Sequence, residues 1–538
     1  MSATIRTVPR RSLPIPVIDL FAGPGGLGEG FAAYQESGAY RFRIALSIEK
    51  DAAAWETLRL RAFFRHLTMA PDGSGMPAPS DYYRFVRGEI SLAELFGRHP
   101  KAAEAAQREA WNVELGAPDP GHEAVRRRIT EALAARCHCW VLIGGPPCQP
   151  FSLAGRSRNR GKVGYRLETD PRHELYREYL RVIADHWPPV FVMENVKGLL
   201  SARVNGTSLF ARVIEDLSDP RRALSMGKRG HKYRLFSVSR HGQLLADFSS
   251  IDPRHYLVLA EEYGIPQARH RVILLGVRDD LREVPDLLPS GQPVHTVADA
   301  IDGLPRLRSG LSRGMDTSDA WKSWLRAQRK SDWFRRLKDS GGRDVAEAIS
   351  TALDRLKQHP ADRGLEFVPC EPWVNFAQTW FIDPRLDGVA NHASREHMPE
   401  DLSRYLFAAC FAQVRGRSPT LSDFPRELLP KHASAKVARK NGGYFADRFR
   451  VQVRNRPATT VVSHIAKDGH YYIHYDPTQC RSLTVREAAR LQTFPDNYIF
   501  LGNRTSQYIQ VGNAVPPLLA REIAAVVFRL FRKAGWVR

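Results

Sequence analysis

In GGPPCQPFS, residues 144–152, one cysteine, Cys148, follows two glycines and two prolines just after the apolar run WVLI. Pro146, Pro147 and Pro150 fix φ along the loop, while Gly144 and Gly145 let another molecule approach the backbone. A thiol just past the carboxyl end of a strand, on the edge where α/β sheets bind ligands, is preorganised to point at one atom. A buried structural cysteine would satisfy the same residue types. Two further segments carry complementary groups: FVMENVKG puts Glu194 and Asn195 after an apolar run, and GIPQARHRVILLG leads into another with Gln267, Arg269 and Arg271. A carboxyl at a strand end can hydrogen-bond or protonate a ring nitrogen, and a guanidinium can hold a carbonyl oxygen. Thiol, acid and cation would together surround a planar base, although each taken singly also reads as an ordinary ion pair at a strand end.

A second constellation lies near the start. In DLFAGPGGLGEGF, residues 19–31, Gly23, Gly25 and Gly28 match G-x-G-x-x-G between a strand and a helix, and Glu49 follows at the end of the next strand. A carboxylate there can accept hydrogen bonds from a ribose diol, so an adenosine-containing cofactor is implied. The motif does not separate a nicotinamide dinucleotide from S-adenosylmethionine, and a tight turn without a ligand also fits it. The Cys137–Cys139 pair has no second ligand pair at a metal-binding spacing, so it reads as structural and no metal is expected.

These residues need a scaffold, and the apolar pattern supplies one. From Val17 the chain alternates VIDLF, FRIALSIE, WVLI, PVFVMEN, HYLVLA and RVILLGV with amphipathic stretches, which predicts an α/β fold on a mostly parallel sheet. The Pro-, Gly- and Ser-rich stretch and polar helical segment between Thr68 and Arg136 read as an insertion on the sheet's rim. From Arg278 to about Asn455 the βα rhythm is lost, and Trp, Arg and Lys mix with Pro and Gly. The predicted division is 14–278 for a cofactor-binding catalytic domain with 68–136 inserted, 279–480 for a smaller domain of mixed or irregular structure, and 481–538 returning to the first.

Charge narrows the partner. Lys and Arg total 79 against 58 Asp and Glu, a net charge of +21 and a pI near 9.9, which favours a polyanion, with nucleic acid ahead of an acidic membrane surface. No run of eighteen apolar residues occurs and the first residues lack an apolar signal core, so a cytoplasmic chain is expected. The stretch WKSWLRAQRKSDWFRRLK, residues 321–338, interleaves Trp321, Trp324 and Trp333 with seven basic residues. It reads as an amphipathic helix packing its aromatics, with a lining for a nucleic-acid backbone as the alternative.

Taken in order, DLFAGPGG, SIE, GGPPCQPFS, MENVKG, QARHR, RPATTVV and QVGNAVPP resemble the DNA (cytosine-5)-methyltransferases of the bacterial restriction-modification type. The resemblance covers nearly everything except the 68–136 stretch and about 278–455. It implies a Rossmann-like S-adenosylmethionine-dependent methyltransferase domain with a target-recognition domain. It also implies Cys148 as nucleophile, Glu194 against the cytosine ring nitrogen and amino group, Arg271 on its carbonyl oxygen and Arg269 supporting that site. For S-adenosylmethionine it implies Phe21, Gly23, Gly25, Glu49, Pro147 and Asn513, with Glu89 of RGEI in the acidic adenine position. Two departures stand out: Trp140 replaces a frequent acidic residue before the catalytic loop, and the Gly-Glu-Ile segment follows a long spacer. The implied partner is double-stranded DNA, bound as a monomer in the nucleoid, with a cognate restriction endonuclease encoded separately. A nicotinamide oxidoreductase would leave the Cys, Glu and Arg loops without a reason to converge. A DNA-binding protein on an inactive methylase fold would not need intact Cys148, Glu194 and Arg271, and a transfer-RNA-acting relative would not need the long 278–455 region.

Overall fold

The structure, a computed structural model, describes residues 13–537 except 71, 135–137, 148–174, 205, 228–229, 240–251, 340, 357–361 and 431–445. Cys148 and Cys137 therefore lie outside the described residues.

The first strand, β1 (Ile15–Leu20), is buried along its whole length. Ile15 and Val17 enter one hydrophobic cluster and Ile18 and Leu20 another, so the strand is covered on both faces and reads as a continuous apolar run. The chain continues through α1 (Gly26–Ala32), β2 (Phe42–Glu49) and α2 (Ala52–Thr68). The Asp51 side chain caps α2 by accepting the Ala54 N–H at 2.9 Å. There follow α3 (Ser80–Val86), α4 (Leu92–Arg98), α5 (Pro100–Glu109), β3 (Ala110–Asn112), α6 (His122–Leu133) and β4 (Val141–Gly144). Next come α7 (Leu175–His186), β5 (Val190–Val196), α8 (Leu209–Ser218), β6 (Tyr233–Phe236), β7 (Leu257–Leu259) and β8 (His270–Arg278).

These strands form one sheet in the order β6–β8–β5–β4–β1–β2–β3, with β7 also paired to β8. Strands β1 to β5 run parallel. The exception is β8, antiparallel to β5, with β6 and β7 antiparallel to it. This is the expected Rossmann-like α/β architecture, and the strand order reverses between β1 and β4, where open sheets leave a crevice at the carboxyl ends.

The 68–136 stretch is not simply an insertion. Its residues 110–112 extend the sheet as β3, with Asn112 in register with Glu49, and Val125, Ile129 and Leu133 of α6 pack into the core beneath it. Three residues of strand behind an Ala-rich helix carry too little alternation to be recognised. The surplus is chiefly α3 and α4, which share a cluster with Phe63 and Phe64 of α2. The Tyr83 hydroxyl of α3 donates to Asp383 at 2.8 Å.

A separate hydrophobic core is built from α9 (Ser318–Ala327), α10 (Asp332–Asp339), α11 (Arg343–Arg355) and α12 (Pro399–Arg415), through Trp321, Trp333, Ile349 and Leu406. It is smaller than the 279–480 division expected from the sequence. Leu281, Val297, Ile301, Phe381, Ala458 and Val461 all belong to the main core instead, because these irregular segments cover one face of the sheet.

The chain closes with α13 (Val485–Leu491), α14 (Arg504–Asn513) and α15 (Pro517–Lys533). Helix α15 lies directly against α1. A side chain at Gly30 would put its Cβ 2.4 Å from the Ala520 Cβ and 2.5 Å from the Pro517 carbonyl, so part of the Gly-rich run serves helix packing.

Candidate active site

The carboxyl ends of β5, β4, β1, β2 and β3 form one edge, and the chemistry-bearing residues sit along it in that order. After β1 the chain turns sharply, with Phe21 and Gly23 in the left-handed region at φ 55° and 57°. The Gly23 N–H donates to Glu49 Oε2 at 2.8 Å and the Asp51 N–H to Glu49 Oε1 at 2.8 Å, which ties the Gly-rich turn to the end of β2. Burial, opposed by those two hydrogen bonds, raises the Glu49 carboxyl above its ordinary range. Space above the turn is open: a Cβ built on Gly23 meets nothing within 4 Å. Across from Glu49, the Asn112 side-chain amide donates to the carbonyls of Glu49 and Lys50 at 2.9 and 3.1 Å.

Beneath the turn lies Asp19, 1 % exposed. A Cβ on Gly28 would come within 2.8 Å of Asp19 Oδ2, and that oxygen has no hydrogen-bond partner among the described residues. Burial is the main cause that pushes this carboxyl up to about 8; Arg65 opposes it and Glu49 adds to it.

At the other end of the edge, Arg271 Nε contacts Glu194 Oε1 at 2.8 Å. The pairing follows from topology, since antiparallel β8 sets Arg271 opposite Val196 and Ile273 opposite Glu194. Burial lowers the Arg271 pKa, with Glu194 opposing. A Cβ on Gly145 would sit 3.0 Å from Glu194 Oε2, so this glycine lets the loop after β4 lie on the carboxylate. Asn195 steadies the same loop by donating to the Pro146 carbonyl at 3.4 Å. Half-buried Pro147 is the last described residue before Cys148.

Arg269 does different work. Its Nη1 donates to the Val461 carbonyl at 2.7 Å and reaches the Gly512 carbonyl at 3.5 Å, joining RPATTVV to the residue before Asn513. Burial, with Arg271 next, lowers its pKa well below the ordinary value. Gln267 anchors the same region, accepting the Val461 N–H at 2.8 Å and donating to the Leu491 carbonyl at 3.0 Å. Asn513 ends α14 with its side chain exposed.

With this geometry in hand, comparison with known proteins decides the family. A family model described as C-5 cytosine-specific DNA methylase matches residues 123–220 and 389–529. The type II methyltransferase M.Bpa9945I of Bacillus paralicheniformis is 33 % identical over 526 residues, covering 95 % of this chain and 98 % of that protein. The type II methyltransferase M.AgeI of Thalassovita gelatinovora is 29 % identical, covering 72 % and 82 %. The DNA (cytosine-5-)-methyltransferase M.ApeKI of Aeropyrum pernix is 27 % identical, covering 71 % and 80 %.

The chain belongs to the C-5 cytosine-specific DNA methylase family. It is a DNA (cytosine-5-)-methyltransferase. Against that identity, the structure brings Phe21, Gly23, Gly25, Glu49, Pro147, Glu194 and Arg271 to one sheet edge of this methylase, with Arg269 holding the segments beside it. Glu89 stands apart: it is exposed and pairs with Arg87 at 2.5 Å and Arg84 at 3.4 Å. Next to Glu49 the edge carries Asn112 instead, a residue the sequence reading passed over because its strand is so short. The bracing by Asn195 and Gln267 was also unassigned. Cys139 packs half-buried against the main core of the methylase.

Proposed function

We propose that this methylase transfers a methyl group from S-adenosylmethionine to carbon-5 of a cytosine flipped out of double-stranded DNA, with Cys148 as the nucleophile. The observation that carries the reading is the part-buried Glu194–Arg271 pair, set at 2.8 Å beside Gly145 of the loop that leads into Cys148.

The turn after β1 fits an adenosyl cofactor. Open space over Gly23 admits a ligand to the backbone, and the Glu49 carboxylate, already oriented by two N–H groups, has lone pairs left for a ribose diol. Phe21, Gly25, Pro147 and Asn513 would border it; Asn112 suits the adenine edge better than Glu89. Bound there, S-adenosylmethionine supplies an electrophilic methyl group.

The protein's part is to make cytosine carbon-5 nucleophilic. The Cys148 thiolate adds to carbon-6 while Glu194 holds the ring nitrogen and amino group and Arg271 the carbonyl oxygen, and the electron pair moves to carbon-5. Once carbon-5 carries the methyl group, loss of its proton to water or another base expels the thiolate. An ångström of misplacement would cost on the order of a hundredfold, which gives the braced loop its purpose. The base must leave the stack, at a cost of a few kcal/mol that phosphate contacts from the basic surface help to offset. In this reading the region from 279 to 480 supplies target recognition. The names of M.Bpa9945I and M.AgeI support a type II restriction-modification role with a separately encoded nuclease. No helix among the described residues is long and apolar enough to cross a membrane.

The direct test is a duplex carrying 5-fluorocytosine in its target sites. With S-adenosylmethionine it forms a complex that survives denaturing electrophoresis, because fluorine cannot leave as the proton does. Cys148→Ala abolishes that band and keeps reversible DNA binding. A band of equal strength with Cys148→Ala would assign the nucleophile elsewhere. For the cofactor, Glu49→Ala weakens S-adenosylmethionine binding by about 1.5–3 kcal/mol in calorimetry, the value of hydrogen bonds to a charged group, and spares DNA affinity. An unchanged dissociation constant would remove Glu49 from the site.

A further inference from the structure

The basic stretch 321–338 divides, in three dimensions, into two sets of cations. One set is neutralised: Arg329 pairs with Asp354 at 2.6 Å, Arg336 with Glu427 at 2.5 Å and Arg335 with Asp332, while Lys338 lies over the Phe334 ring. The other set is Lys322, Arg326 and Lys330, none of which has an ion-pair or hydrogen-bond partner among the described residues. They recur every four residues along α9 and the single turn that continues it, on the side flanking the face that buries Trp321 and Leu325, with Arg326 and Lys330 exposed and Lys322 half-buried. Asp319, in the first turn, pairs with none of them. The expected aromatic packing holds for Trp321 and Trp333, but it leaves these three charges unused.

Charges spaced by four on a helix share one face and lie about 6 Å apart along its axis. The row therefore spans about 12 Å, the axial rise of three to four base pairs at about 3.4 Å per phosphate on one strand. Each cation could reach its own phosphate on a single strand. Side chains this long and mobile, without neighbouring donors or acceptors to orient them, suit point-charge attraction better than the bidentate geometry of base reading. Contacts of this kind set a protein's position on a duplex without carrying sequence information.

We propose that Lys322, Arg326 and Lys330 form a phosphate-contacting ridge on the helical core, which grips the backbone of the DNA substrate independently of its base sequence. The proposal rests on the duplex-DNA reading above and adds the surface that holds the duplex.

The test is the salt dependence of binding to a mixed-sequence duplex of about thirty base pairs. Each phosphate contact contributes about 0.9 to the slope of log K against log salt, so the triple variant Lys322→Gln/Arg326→Gln/Lys330→Gln should lose between two and three units of slope with an unchanged melting curve. The charge-preserving Lys322→Arg/Arg326→Lys/Lys330→Arg should keep the wild-type slope, as should Arg335→Gln on the neutralised set. A triple variant with the wild-type slope, in a protein that still methylates duplex DNA, overturns the ridge alone. Equal loss of slope in Arg335→Gln also overturns it, by showing only a general charge effect. A wild-type chain that neither binds nor methylates duplex DNA would overturn the underlying function and the ridge with it.

Discussion

Glu194→Gln is expected to lower kcat by about 10²–10⁴-fold, the range for loss of a positioned proton donor or acceptor. Glutamine keeps the volume against Gly145 and can still hydrogen-bond, so the loop that leads into Cys148 stays in place. What disappears is the charge beside Arg271 and the ability to carry a proton at the ring nitrogen. Arg271 is largely withdrawn from solvent and its pKa is already lowered by desolvation, so removing its only ion-pair partner among the described residues leaves a guanidinium that must find new acceptors or draw in water. DNA affinity changes far less, because most contacts to a duplex go to phosphates. Single-turnover methyl transfer measured beside equilibrium DNA binding separates the two. A fall in rate smaller than tenfold, with binding intact, would show that Glu194 is not the group that polarises the base.

Asp19→Asn is expected to stabilise the protein increasingly as pH rises. The folded chain keeps the Asp19 proton up to about pH 8, whereas an unfolded chain releases it near the ordinary value of 3.8. Between those values the folded state binds more protons than the unfolded one, so this group's contribution to stability is full below about 3.8 and is lost as pH rises toward about 8. Asparagine does not titrate. The difference in unfolding free energy, variant minus wild type, should therefore grow by about 1.4 kcal/mol per pH unit, roughly 4 kcal/mol from about pH 5 to about pH 8, and then level off. Denaturant unfolding of both proteins without cofactor across that range measures it, and pH effects from other groups cancel in the difference. A flat difference would mean that Asp19 is ionised in the fold, with its Oδ2 satisfied by water. The physical origin is local: a carboxyl packed under Gly28, with Arg65 too weak an influence to offset its burial.

Much of the active edge was legible in the chain because its chemistry depends on local backbone form. The turn after β1 requires left-handed conformations that Gly23 and Gly25 adopt freely, and the loop after β4 requires stiffness that prolines supply, so both leave a mark in a few consecutive residues. Strands covered on both faces announce themselves as apolar runs, which makes β1, β2, β4, β5 and β8 readable. Strand β3 is three residues long, too short to show a period, and with it Asn112 went unseen beside Glu49.

Helix α13 shows what lies beyond local pattern. VREAARL carries three charges in seven residues and reads as a surface helix, yet every one of those residues is buried. Arg490 pairs with Asp496 at 2.7 Å and donates to the Ala300 and Trp373 carbonyls, while Arg481, just before the helix, pairs with Glu487 at 2.6 Å. The ion-pair partners lie six residues away, but the Ala300 and Trp373 carbonyls come from distant parts of the chain, so only the folded arrangement decides that Arg490 is fully satisfied. The same holds for Arg269 and Arg271. Two residues apart in one motif, they look equivalent in sequence. The antiparallel register of β8 against β5 delivers one to Glu194, and the short pairing of residues 267–268 with 458–459 commits the other to the backbone of a distant segment. By itself the sequence determined which groups the enzyme has and how stiffly their loops are held, since those properties reside in φ preferences and apolar runs. Which group meets which was decided by strand register and burial, because a charge in a low-dielectric interior takes its role from the partner that the rest of the fold brings to it.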